Sequence, residues 1–507
     1  MRGILLGLLP LGMLLVSSPS ATTYHIKPDG TGDFPTIQAA IDQVAWGSVL
    51  ELEDGTFTGA GNRDLRFHGK PITIRSRSDD PTGCVLDCQG SESDHHRGVA
   101  FDWGEGPHSV IQAITIANGY AGGTDGADPE SNGGGVLIIN GGSPTLIDVI
   151  IQDCIAMNGG GLMAWRAGSP DIMRCTFQRN TGWWGAGGGA YAMEGSPTFT
   201  DCIFGANVSY QAGAGISCHS NPNVVFAGCL FRENALNHDY GGYGAGLDLF
   251  GSHAELDHCT FIGNTIPASY TFGGGLCFSQ DDVELDACTF YGNRAGYGSG
   301  IAVLYGSIQV RNTIIASGIT SSAVYCEDAG PVTLSCSDLT DNAGGDWVGC
   351  IADQAGQDGN ICLDPFFCDP TGGDLTLDAS SPCAPENNPV CGQIGAWPVG
   401  CGATTVTEIP VSQTPAAGIR PNPTRGTCRI ELRVPIGKKD ATVRLLDVSG
   451  RIVRELFCGS CPGSPGTVLQ LIWDGRDDAG RKLPAGVYLA SLETSAGIER
   501  KRVTLLR

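Results

Sequence analysis

The phrase Cys-x-Phe-x-x-Asn occurs five times in the middle of this 507-residue chain: Cys175/Phe177/Asn180, Cys202/Phe204/Asn207, Cys229/Phe231/Asn234, Cys259/Phe261/Asn264 and Cys288/Phe290/Asn293. Cys154 opens a looser first copy. Successive cysteines lie 27, 27, 30 and 29 residues apart, and a Gly-x-Gly-apolar phrase recurs between them. A period of that size means one supersecondary unit per repeat, too small to bury its apolar face alone and so obliged to stack on its neighbours. A solenoid is the predicted architecture.

After each Gly-x-Gly the first and third residues are mostly apolar, as in Leu162/Ala164, Ala190/Ala192, Ile216/Cys218, Leu247/Leu249, Leu276/Phe278 and Ile301/Val303. That alternation is a strand. A second alternation follows a turn such as Gly168-Ser169-Pro170, and a step of three from Leu285 to Cys288 implies a corner that keeps both strands facing inward. Three short strands per coil, with Gly and Asn at left-handed corners, describe an all-β parallel β-helix. Equivalent residues of successive coils then stack about 4.8 Å apart. Cys and Phe form buried columns, and the Asn amides bond from coil to coil. The Cys column is small apolar filler, because ligands arrayed one per coil in a line do not suit tetrahedral zinc. No metal site is assigned, and calcium stays open without residues attached to it.

The first residues have the anatomy of an export leader over 1–20: Arg2, an apolar run from Ile4 to Val16, then small residues. After its cleavage no segment is apolar enough to span a membrane. Export suits the 21 cysteines, eight of them between Cys326 and Cys401, where disulfides are expected. Cys84 is expected to pair with Cys88, and Cys458 with Cys461. One short helix with the stripe Ile37, Ala40, Ile41 and Val44 is expected to cap the first coil, which begins near Val49. The β-helix domain is placed at 21–402, a Thr/Pro/Ser/Ala-rich linker at 403–418, and a small immunoglobulin-like sandwich at 419–507. Its strands are read at Arg429 to Val434, Thr442 to Leu446, Val468 to Trp473, Val487 to Leu492 and Arg500 to Leu505.

Charge separates these regions. The formal net charge is −23, made of +7 from residue 419 onward and −30 before it, and no Lys lies between Lys70 and Lys438. So acidic a solenoid repels nucleic acid and polyanionic glycans unless divalent cations intervene.

Pro28 to Ile41 followed by Leu65 to Ser76 resembles the opening of the pectin-lyase-like superfamily of right-handed β-helices. The alternating Phe-x-x-Asn and Gly-Gly/Ala phrases are similar to repeats of polymorphic outer-membrane proteins. Arg420-Pro421-Asn422-Pro423, Leu446 to Arg451, Trp473 to Asp477 and Gly486-Val487-Tyr488 resemble flagellar hook-capping domains and the C-terminal sorting domains of type IX secretion substrates. These likenesses imply a right-handed helix and a secretion or cell-surface partner for residues 419–507. The motif sets of the superfamily's enzymes are not met: Asp79-Asp80 and Asp281-Asp282 stand without companion motifs, and Leu256-Asp257-His258 only echoes a pectate-lyase phrase.

The insertions that lengthen the coils fall between each Asn and the next Gly-x-Gly, and each brings aromatics: Trp183, Trp184, Tyr210, Tyr240, Tyr243, Tyr270, Phe272 and Tyr297. Rings aligned on one edge suit stacking against sugars, or against one another. A second candidate face is the outward side of the first strand: Trp165, Tyr191, His219, Asp248 and Phe250. His219 is not expected to ligate metal, since the neighbouring coils offer no His or carboxylate at its position. The reading is an exported bacterial β-helix that binds an extracellular glycan or acts as an adhesin or structural module. A polysaccharide lyase or glycosidase is the alternative.

Overall fold

The structure, a computed structural model, describes residues 22–123, 125–237, 241–401, 419–420, 424, 428–433, 440–447, 451–460, 468–477, 481–494 and 497–506. The expected leader 1–20, the linker 403–418, Tyr240 and Cys461 lie outside them. The chain divides into two compact units, Met1–Gly400 and Cys401–Arg507.

The first unit is a parallel β-helix. A regular coil has four strands where three were expected: Leu162–Trp165, Asp171–Met173, Thr176–Gln178 and the two-residue Thr181–Gly182. The fourth forms because the chain stays extended for one more pair of parallel hydrogen bonds after the Asn. Each strand pairs in parallel with its equivalent one coil on, and Phe177, Phe204, Phe231, Phe261 and Phe290 stand in exact succession in one ladder. Their rings stack with centroids 4.5–5.0 Å apart and planes within 5° of parallel. The inward pairs read from the alternation are all buried.

The asparagines form the expected ladder. Asn234 Nδ2 donates to Phe204 O and to Asn264 Oδ1, while its own Oδ1 accepts from the backbone N–H and side-chain amide of Asn207. The corners differ from expectation. The left-handed positions are the residues just before the Cys and just before the Asn, among them Arg174, Asp201, Arg179, Ala206 and Glu233, with φ of 52 to 55°. The asparagines themselves turn inward and spend their amides on the ladder. Glycine is required elsewhere: Gly187 has φ +73°, and a Cβ there would lie 2.2 Å from Ala190 O.

The solenoid begins earlier than Val49. Thr23–Ile26 is its first strand and pairs with Val49–Leu52, so the helix Ile37–Gln43 is inserted between the first two strands. Thr36 caps this helix by accepting from Ala39 N–H, and Ile37, Ala40 and Ile41 are buried. At the far end, six of the eight clustered cysteines are disulfide-bonded: Cys326 to Cys350, Cys336 to Cys391, and also Cys368 and Cys401. The expected Cys84–Cys88 bond does not form; both thiols are free and buried. Extended chain rises about 3.3 Å per residue, which puts residues four apart well beyond disulfide reach.

In the second unit, Ile419–Arg420, Cys428–Arg433 and Val468–Trp473 form one antiparallel sheet. Ile452–Ser460, Asp440–Asp447, Gly486–Thr494 and Gly497–Leu505 form another. Its core holds Ile430, Val443, Leu445, Trp473, Tyr488, Ala490 and Val503. Ile452–Ser460 is a strand the alternation missed, because its pairing with Asp440–Asp447 shifts register twice and breaks the period of two.

Candidate functional site

The residue just before each Gly-x-Gly occupies one column on the outside of the solenoid, running Ala186, Ala212, Tyr243, Phe272, Tyr297 through successive parallel bridges. The three aromatics stack: Tyr243 on Phe272 at 5.7 Å, Phe272 on Tyr297 at 5.2 Å, with Tyr325 against the last two. In the two preceding coils the same column is alanine, and the missing rings leave space. A cavity of about 510 Å³ opens there, lined by both alanines, by Tyr243, and by His219, Asp248 and Phe250 from the outward side of the first strand. The structure thus brings together parts of two candidate groups that the sequence presented as separate.

That outward side is largely covered. Tyr191 packs with Leu137, Met163, Ala186 and Ala212, and Asp248 is only 5% exposed. Four polar groups make a chain: Ser217 Oγ donates to Asp248 Oδ2 at 2.8 Å, His219 Nε2 contacts the same oxygen at 3.3 Å, and Tyr191 OH lies 3.0 Å from His219 Nδ1. A carboxylate only accepts, so Nε2 carries the proton toward Asp248. Burial pushes the Tyr191 hydroxyl well above its ordinary range, with the Asp248 charge adding to the effect. As expected, neither register partner of His219, Met193 or Phe250, is a His or a carboxylate; the carboxylate it meets comes from outside its column. Asp248 pairs in register with Ser217, two residues away, and still reaches the imidazole because both project from the same side.

Ser, His and Asp are the components of a nucleophilic triad, but their order here is different. Ser217 is fully buried and bonded to the carboxylate, and both imidazole nitrogens are engaged. The network fixes Asp248; it does not activate a hydroxyl. Asp257 and His258 contact each other at 2.8 Å, and both are more than half exposed on a corner. Among the described residues no three His, Cys, Asp or Glu side chains are grouped to hold a metal ion.

The remaining aromatics divide. Trp184 stacks on Tyr210 at 6.0 Å with planes 2° apart, and Trp183 leans on Trp184. Tyr270 is 71% exposed. Trp165 is half-buried beneath the Arg166 guanidinium. Sequence reading missed Gln211, Ser279, Leu304 and Tyr305 of the cavity. The last two come from the 11-residue strand Ile301–Arg311, whose pairing with Leu276–Asp286 slips register near Ser279. The signal that was available is the alanine–aromatic change at a fixed offset from each glycine.

The buried thiols form a further column: Cys175, Cys202, Cys229, Cys259 and Cys288 each donate to a backbone carbonyl of the preceding coil, Leu146, Ile172, Phe199, Phe226 and Leu256 respectively. Burial pushes Cys154 up to about 12, and Cys175 and Cys259 well above their ordinary range.

The family model described as the right handed beta helix region matches residues 110–275. Among solved structures, the enzymatically active domain of tailspike protein 4 of bacteriophage CBA120 is similar to this chain at 12% identity and a TM-score of 0.21, over 87% of this chain. This chain covers 64% of that tailspike chain, less than two thirds of its length. No curated protein matches. With the matched segment lying in the regular coils, the solenoid is a right-handed parallel β-helix.

Proposed function

We propose that the protein is a glycan-binding module that works outside the cell, with the cavity of the alanine gap and the neighbouring tryptophans as its binding surface. The observation that carries this reading is the arrangement of rings around a formed recess: Tyr243, Phe250 and Tyr305 line it, each more than 40% exposed, beside the polar groups of Gln211, His219 and Asp248. Sugars present one apolar face and a rim of hydroxyls, which is what such a wall receives. Binding is favoured over cleavage because the described lining residues include one carboxylate, whereas hydrolysis by the usual route uses two. The test is a glycan panel probed for both binding and cleavage with the full chain. Trp184→Ala and Tyr243→Ala should each weaken the strongest binder by about ten-fold, a stacking contribution of ordinary size. Failure of every glycan to bind would overturn the reading.

Export belongs to the same proposal. It is supported by the leader composition of residues 1–20 and by the disulfides at the end of the solenoid. Residues 419–507 would engage the secretion or surface machinery, and their deletion should leave a folded solenoid that no longer reaches the surface.

A further inference from the structure

We infer that the cavity selects glycans carrying a free, protonated amino group; this rests on the glycan reading above and narrows it to one chemical class. Among the described residues the lining contains Asp248 and no Lys or Arg. Asp248 is nearly buried, and Ser217 and His219 both engage its Oδ2, so the carboxylate is fixed in place. Its Oδ1 has no hydrogen bond to a described residue. A held carboxylate with a spare oxygen, set in a recess, is an acceptor awaiting a donor. The walls point the same way: the rings of Tyr243, Phe250 and Tyr305 carry negative faces that attract an ammonium group placed over them. The solenoid around the cavity carries a formal charge of −30 before residue 419, which draws cations and repels uronates. A neutral sugar would satisfy the rings but leave the carboxylate without a charged partner.

The experiment is calorimetry on the full chain at about pH 6, where an alkyl amine is charged. The probes are the β-1,4-linked glucosamine trimer, its N-acetylated counterpart, the glucose trimer and choline. The glucosamine trimer should bind about ten-fold more tightly than the other two sugars, the factor supplied by one charge or cation–π contact. Asp248→Asn should remove that preference, and Phe250→Ala, on a partly exposed ring, should weaken all three sugars. Raising the salt concentration should weaken the glucosamine trimer alone, a readout independent of how well the Asp248→Asn variant folds. Equal affinity for the three trimers, or binding of other glycans with none for glucosamine, would overturn the amino-sugar assignment while the glycan reading stands. Choline binding as tightly as the trimer would overturn the sugar as the recognised group. Silence across the whole glycan panel would overturn both.

Discussion

Replacing Asn234 by alanine tests the ladder that joins one coil to the next. Four hydrogen bonds end on this side chain: two into Oδ1 from Asn207, and two from Nδ2 to Phe204 O and Asn264 Oδ1. All four are buried, and no solvent replaces the lost partners. At a net worth of about 1 kcal/mol per bond, the substitution should cost about 4 kcal/mol, with the vacated volume adding to it. Asn293, the end of the ladder, receives two bonds from Asn264 and donates one to Phe261 O, so Asn293→Ala should cost about 1 kcal/mol less. Asn234→Asp keeps the accepted bonds but aims a carboxylate at two carbonyl oxygens. Its penalty should therefore ease as pH falls and the new acid group is protonated. Urea unfolding followed by far-ultraviolet circular dichroism gives the costs. Hydrogen exchange at the backbone amide of Asn207 shows whether the loss is confined to neighbouring coils, as expected where each coil contacts only its neighbours. A cost under about 1 kcal/mol for Asn234→Ala, or one equal to that of Asn293→Ala, would refute the additive ladder.

Three further outcomes rest on the same structure. Gly187→Ala should destabilise the solenoid by more than the 1 kcal/mol or so of an ordinary glycine replacement, since backbone oxygen stands where the Cβ must go; a urea midpoint unchanged from the parent would contradict the turn geometry. Thiol titration of the native protein should label Cys362, the one exposed free cysteine among the described residues, and reach the Cys175 to Cys288 column only on denaturation. Rapid native labelling of that column would place it outside the core. Burial raises Asp338 to about 6, against bonds from Leu363 N–H and the Cys383 thiol that lower it. A carboxyl raised in the fold stabilises it at low pH, so this contribution should be lost as pH climbs from about 4 through 6, by up to about 3 kcal/mol. Asp338→Asn should flatten that stretch of the stability profile, and an unaltered slope would exclude Asp338 as its source.

The spacing of Cys, Phe and Asn was enough to determine the solenoid, because a parallel β-helix places equivalent residues of successive coils in contact and so writes its contacts into the sequence at one period. Column membership, the buried Phe stack and the amide ladder were all legible for that reason, and the short helix was legible from its own apolar stripe. What the period does not carry is conformation at single residues and contacts between different columns. The left-handed corners fall on Arg179, Ala206 and Glu233, one residue before each Asn, since the interior claims the amide and the preceding residue must turn. The recess depends on separate columns meeting in space: the alanines at 186 and 212 in one, His219 and Phe250 in a second, and Asp248 in a third. Linear distance between those columns is the same from coil to coil, as from Ala212 to His219 and from Tyr243 to Phe250, but spacing along the chain does not say that they border one recess. The Asp248–His219 contact likewise joins residues two places out of register across neighbouring strands. Such a contact exists only once the coils are stacked and the side chains share a face.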